Sequence, residues 1–525
     1  MSRALPAVGR TLVGVGMGGL ALPWLLAPVM SDERYHYIAA PHRFHDNVFA
    51  VLPWTVHDMA WRMAAGRIAP VGVAIQHVVY LAGMELAVAT GLPLFVVHGL
   101  VKLAVSVAVV GSFALLWRLL RGPSGGSVGL AARTAAAIFA VGYLAGITAT
   151  DPAQNGWTTF VVLCQGGIVL MFGLGALLLW LDGRWAGGSG PARVVSVAVV
   201  ALAAVVTVLS YELHWAALPF AAVLVVLAGR RRSSLILGGT LLVAGAVAIG
   251  VVRAQIAAHL TDVYVGLALD IRGPVLKTWV WQLVNAVPVT GIPITRDQLG
   301  AGVPAPHPFG AWGWLWGVVL AVGWVLASTA SGAGSVLPSE DRPQAPDGTD
   351  RRPLVALAVA LAVSAASAAA VLSVSTQAHQ LVDGLGEAYR GTPWIWACFV
   401  GIVVVALAAW PARGGRAGGG PAAPALAART WRIAVPALAA LLAGVFVLPS
   451  SVAAIRTLRA DDTYALWERA QAQVIIGSPG PAALAERCEL QQQAKAWQGD
   501  SRYRAGYLRE YTTAFDYLWG RPWCP

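Results

Sequence analysis

Residues 31–47, SDERYHYIAAPHRFHDN, gather two adjacent carboxylates, two arginines and three histidines directly after an apolar run ending WLLAPVM. Asp32 and Glu33 stand where that run stops. A carboxylate at such a boundary is partly desolvated, which raises its pKa toward the range of a general base. The neighbouring Arg34 opposes that shift, and His36, His42, His45 and Asp46 follow within one segment. The competing reading is a solvated stop after a helix, since charges routinely flank apolar spans. The length of the segment 31–92, rich in Trp, His and Arg, favours chemistry, because a mere connector would be short.

Two further segments carry reactive groups. TDPAQNGW brings Asp151 and Asn155 together, although an Asp before Pro is equally good turn chemistry. SYELHWAALP is a very short link that forces Tyr211, Glu212, His214 and Trp215 to one surface. Ionisable residues at membrane depth are functional candidates, while Tyr and Trp also serve as interfacial anchors. The set His36, His42, His45 and Asp46 lacks the helical His pair or Cys pairs of a zinc site. Asp32, Glu33 and Asp151 would suit a hard divalent cation. There is no G-x-x-x-x-G-K-[ST], no G-x-G-x-x-G beside a strand and no G-x-S-x-G, so ATP-driven transport and hydrolase chemistry have no support.

The elements that must hold these groups are membrane spans. The chain has 525 residues, 57% hydrophobic and 12% charged, with mean hydropathy +0.66. Soluble domains average about 25% charged residues. That composition excludes a soluble globular enzyme, a disordered chain and a nucleic-acid-binding protein; the net charge of +11 comes from basic residues that punctuate apolar runs. A spanning helix needs about 20 mostly apolar residues. Eleven runs qualify: 11–30, 93–117, 130–150, 157–181, 194–211, 214–229, 234–252, 311–329, 354–375, 394–410 and 433–453. The first has no small-x-small cleavage site and reads as a retained span. Residues 70–90 are apolar enough to cross but are placed as an interfacial helix. A crossing there would invert every later loop.

Orientation follows from the basic residues. With the N-terminus inside, short inner segments hold seventeen, including Arg118, Arg121, Arg230–Arg232, Arg413 and Arg416, against nine in the outer loops before residue 454. The N-terminus is therefore read as inside and the C-terminus as outside. Inner segments hold five acidic residues and outer loops twelve, so the outer face carries the titratable groups. The membrane region is 1–453, with outer loops 31–92 and 253–310 and a cytoplasmic linker at 331–352. A second linker reads at 411–428. Residues 454–525 form an outer tail with helices at 461–475, 481–498 and 502–519. Cys164 and Cys398 sit in apolar runs as packing residues. Cys488 and Cys524 are the only two in the tail, and an oxidising compartment favours pairing them.

An apolar first span, the acidic pair Asp32 and Glu33 immediately after it, and a long first outer loop with interfacial helices resemble the GT-C superfamily of membrane glycosyltransferases. The scarcity of Lys and abundance of Ala, Val, Gly and Arg match a genome rich in G and C, such as an actinobacterial one. The resemblance implies an all-α polytopic enzyme of the plasma membrane with its active site on the extracytoplasmic face. Such an enzyme would move a sugar, with inversion, from a polyprenyl-phosphate donor to an envelope glycan, lipid or protein acceptor, and some relatives use a divalent cation. It implies Asp32, or else Glu33, as catalytic base, with Asp32 at the usual position. Arg34, His36, Asp151, Tyr211, Glu212, Trp215, Arg272, Lys277 and Arg390 would bind donor or acceptor. The cations among them would face the leaving phosphate. A polymerase or ligase of polyprenyl-linked glycans is the rival enzyme, and a lipid or solute transporter the rival class; only Lys102 lies inside a confident span, which weighs against the transporter.

Overall fold

Long runs of Ala, Val, Leu and Gly can satisfy their backbone groups in lipid only as helices. The computed structural model describes residues 4–29, 31–121, 130–146, 156–157, 160–185, 187–229, 232–261, 270–287, 311–331, 351–382, 390–409, 423–442, 444, 452, 462–498 and 502–525. The first helices are α1 (Ala4–Leu25), α2 (Ser31–Phe44), α3 (Val51–Ala64) after a 3-10 turn at Val48–Ala50, α4 (Pro70–Thr90), α5 (Leu94–Arg121) and α6 (Ala132–Leu144). Next come α7 (Val161–Cys164), α8 (Gly166–Trp185), α9 (Gly190–Ser210), α10 (Ala217–Ala228) after a 3-10 turn at Glu212–Ala216, α11 (Arg232–His259) and α12 (Val275–Asn285). The last are α13 (Ala311–Ser331), α14 (Arg352–Ser373), α15 (Thr376–Leu381), α16 (Thr392–Ala409), α17 (Ala423–Leu442), α18 (Asp462–Ile476), α19 (Pro481–Gln498) and α20 (Arg502–Trp519).

Among the described residues there is no strand, and eight helices are long and apolar enough to cross a membrane. Seven of the eight fall on expected runs, and the eighth is α4. The runs 130–150, 214–229, 311–329 and 433–453 carry shorter apolar stretches, Ala132–Leu144, Glu212–Ala228, Trp314–Ser328 and Ile433–Leu442. The linker at 331–352 lies almost wholly outside the described residues. So does most of 411–428, but its last six residues already belong to α17.

Small residues set the closest helix contacts. A Cβ at Gly9 would stand 2.4 Å from the Ala327 backbone nitrogen, and one at Gly19 2.5 Å from the Trp316 ring. Those pairs run in opposite senses along the two helices, so α1 and α13 are antiparallel neighbours. Packing of this kind lets helices associate where no hydrophobic drive exists between them. In the same way α14 runs against α10: Arg352 donates to the carbonyls of Leu227 and Gly229, while Ser364 reaches the Ala216 carbonyl.

The end-to-end contacts assemble one face. Leu25 meets Gly99, Tyr143 meets Gln165, Glu212 meets Arg67, the Thr261 amide meets Ala64, and Leu372 meets Gly391. The C-terminal ends of α1, α6, α9, α11 and α14 thus share a face with the N-terminal ends of α5, α8, α10 and α16. Helix α4 lies along that face. Its Gly72 abuts the Ser210 carbonyl, its Gly83 abuts Tyr37, and the following Gly91–Phe95 turn lines a cavity of about 290 Å³ against α18. Length and composition alone would let α4 cross, but both of its ends stand on one face, as an interfacial helix requires.

The tail completes that face. Cys488 and Cys524 are bridged, with Cα atoms 5.1 Å apart. Beside the bridge, buried Arg487 donates to the carbonyls of Trp523 and Ser478, and the Trp523 indole donates back to the Arg487 carbonyl. Helix α20 then packs along α2, where Glu510 accepts from Tyr35 at 3.2 Å and faces His42 at 2.8 Å.

Candidate active site beneath the base helix

The acidic pair falls in the first turn of α2, where the helix dipole favours negative charge. Successive residues of a helix point about 100° apart, so the two carboxylates diverge. Asp32 stays half-buried. Glu33 turns inward and is 1% exposed. Its Oε2 faces His98 Nε2 at 3.4 Å, and Tyr80 donates to its Oε1 at 3.5 Å. Tyr37 lies 3.2 Å from the other nitrogen of His98. Lys102, one turn further along α5, donates to the Trp24 carbonyl at 3.1 Å and is fully buried. Gln76 in turn donates to Tyr80. Burial pushes the Glu33 carboxyl well above the ordinary carboxylate value; the Lys102 ammonium and the Val161 and Phe160 amides oppose that rise.

His36 lies on the same side of α2, stacked on Tyr80 with centroids 5.6 Å apart and edge-on to His77. Burial, with Arg43 and Arg62 adding to it, holds its pKa down at about 3. His36 is therefore neutral and packed into the aromatic wall of the site. Phe160, whose amide faces Glu33, has φ 50°. A left-handed bulky residue is a backbone outlier, and such strain concentrates at functional sites.

A second cluster lies across α7. Arg67 forms a bidentate pair with Glu212, at 3.1 and 3.2 Å, beneath which its guanidinium covers the Tyr211 ring. Arg253 covers Trp215 and Arg390 covers Phe160. Trp215 also donates to the Val208 carbonyl and His214 contacts the Leu163 carbonyl, which fixes the 3-10 turn. Cys164 at the end of α7 is within electrostatic reach of Arg390, Glu33 and Arg67 at once. The carboxylate and the arginines therefore flank one short helix.

The structure thus gathers Glu33, His36, Tyr211, Glu212, Trp215 and Arg390 from the sequence-derived set. Arg34 is buried on the opposite side of α2, donating to the Val29 carbonyl and lying 5.3 Å from the Tyr464 ring centre, so it joins the tail to the base helix. Arg272 and Lys277 are exposed at the start of α12, which packs on α14, α15 and α16. Asp270 there caps the Arg272 and Gly273 amides and faces His379 at 3.5 Å. Asp151 lies outside the described residues. Sequence reading passed over His98, Arg67 and Arg253. It noted Lys102 as the one charge inside a confident span, which was the available signal.

Among the described residues, no three His, Cys, Asp or Glu side chains converge on a metal-sized site. Glu33 already faces a lysine and a histidine, surroundings that disfavour a divalent cation, and no chemical step is routed through one. The chain matches no protein-family model, no curated protein and no solved structure.

Proposed function

We propose that the chain is a membrane glycosyltransferase that transfers a sugar from a polyprenyl-phosphate donor to an envelope acceptor on the extracytoplasmic side. Glu33 is the base. The single observation that carries this reading is the buried Glu33 carboxylate at the end of the first apolar helix, with Lys102 and His98 behind it and the Arg67–Arg390 cluster on the far side of α7. Glu33 removes the proton of the acceptor hydroxyl, whose oxygen attacks the anomeric carbon while the lipid phosphate departs toward the arginines. A carboxylate with a raised pKa is matched to proton abstraction near neutral pH. Arginines preorganised beside aromatic rings stabilise the developing phosphate charge. Sequence position favours Asp32 as the base; burial and partners favour Glu33. The site is closed over Glu33, so the acceptor enters on an opening movement.

The test is a transfer assay with a polyprenyl-phosphate sugar. Glu33→Gln is expected to lower the rate by about 10²–10⁴-fold, the usual share of general-base catalysis, with Asp32→Asn well above it. The reverse order would return the role to Asp32. Wild-type rates in both variants would remove the transferase reading.

A further inference from the structure

Helix α3 wears its amphipathicity inside out. Its covered side holds Val51, Thr55 and Met59, together with Asp58 and Arg62, which pair with each other and are half-buried. Its open side holds Leu52, Pro53, Val56, His57, Ala60 and Trp61. Leu52 and Val56 are each 66% exposed and Trp61 67%, and Phe49 in the preceding turn is 83% exposed. Both charges of the helix thus face the protein, and the outward arc, about half the circumference at ~100° per residue, is apolar apart from His57. A water-facing helix shows the opposite arrangement.

This face continues another one. The end of α3 touches the end of α11, where the Thr261 amide donates to the Ala64 carbonyl at 3.2 Å. Along α11 the residues Val243, Val247 and Val251, spaced one turn apart, are all exposed. In a 28-residue apolar helix that reaches across a membrane, such a row faces acyl chains. The α3 face extends it at the outer end.

We propose that the open face of α3, with Phe49, is seated in the outer-leaflet lipid at the headgroup–acyl boundary, making bilayer lipid the partner of this helix. Trp61 at one end and Phe49 at the other are the side chains that favour that depth. The seat holds the chain just before Arg67, and so fixes the approach of the Arg67–Glu212 pair from the lipid side. The inference does not depend on the transferase reading.

The test uses the full chain in liposomes of phosphatidylethanolamine and phosphatidylglycerol. A nitroxide is attached at Leu52→Cys, at Val56→Cys and, as a water-facing reference, at Ala496→Cys in the tail. The native cysteines are buried or bridged. Relaxation by molecular oxygen is compared with relaxation by a water-soluble nickel chelate. Residues 52 and 56 are expected to favour oxygen several-fold more than residue 496. A ratio equal to that at 496 places the face in water and overturns the proposal. Low access to both agents at 52 and 56 means another protein surface covers the helix, which overturns it equally.

Discussion

Glu33 is a carboxyl whose neighbours decide whether it is a base. Its pKa lies above the ordinary 4.5 because burial disfavours the charge, and Lys102 is the largest force pulling it back. A base must be ionised, so transfer is expected to rise with pH through a midpoint above 4.5. Lys102→Met removes the opposing charge and should move that midpoint upward by about one unit, equivalent to about 1.4 kcal/mol. A pH–rate profile that stayed in place would mean that Lys102 only packs against Trp24. The linkage has a definite sign: a raised carboxyl pKa favours the folded state most below the ordinary value, and that contribution fades as pH rises toward the folded value. The acidic pair itself was legible in the sequence. Which member turns inward was not, because that depends on His98, Lys102 and Tyr80, whose spacing from residue 33 carries no local pattern.

At the scale of elements, α2 has two working sides. Glu33, His36 and Tyr37 face α4 and α5, while Arg34, Tyr35 and His42 face the tail. Glu510 is the centre of the second side. Burial alone would raise its pKa, but His42, Arg43 and Tyr35 outweigh that and hold it below 4.5. Its contribution to docking is present above the ordinary carboxylate value and is lost as pH falls through the depressed one. Tail docking, followed by limited proteolysis between residues 443 and 461, should therefore weaken only in acid below about 4.5, and Glu510→Gln should weaken it at neutral pH. The bridge Cys488–Cys524 closes a loop of 37 residues counting both ends, 36 + 1. Such a loop is worth roughly 3–4 kcal/mol in the chain-entropy model. A non-reducing peptide map should recover the two cysteines joined, and Cys488→Ser should lower the tail's melting temperature while leaving the apolar helices intact. The tail helices were readable from their periodicity. Their seat on α2 was not, since residues 35 and 510 meet only in three dimensions.

For the whole molecule, the alternation of antiparallel helices places the ends bearing Glu33, Arg67 and the tail on a single face. The seventeen-to-nine split of basic residues assigns that face to the outside. A cysteine at Ala496 is expected to react with a membrane-impermeant maleimide in intact cells; reaction only after lysis would reverse the orientation and the site with it. Apolar runs made the helices legible because lipid leaves the backbone no alternative. The ambiguous run was α4, whose composition fits a span. Only contacts at its two ends show that it stays on one face.

The clamp between Tyr35 and Glu510 joins residues 475 apart in the chain. Ribosomes add about 5–20 residues per second, so α2 leaves the ribosome about 25–95 s before its partner exists. Throughout that interval the half of α2 destined for the tail has nothing to rest on, and the end that will cover it has still to be translocated and oxidised. The first reactive segment to be made is thus among the last to mature, and a ribosome that stalls or stops early leaves behind an inserted protein whose base helix was never clamped.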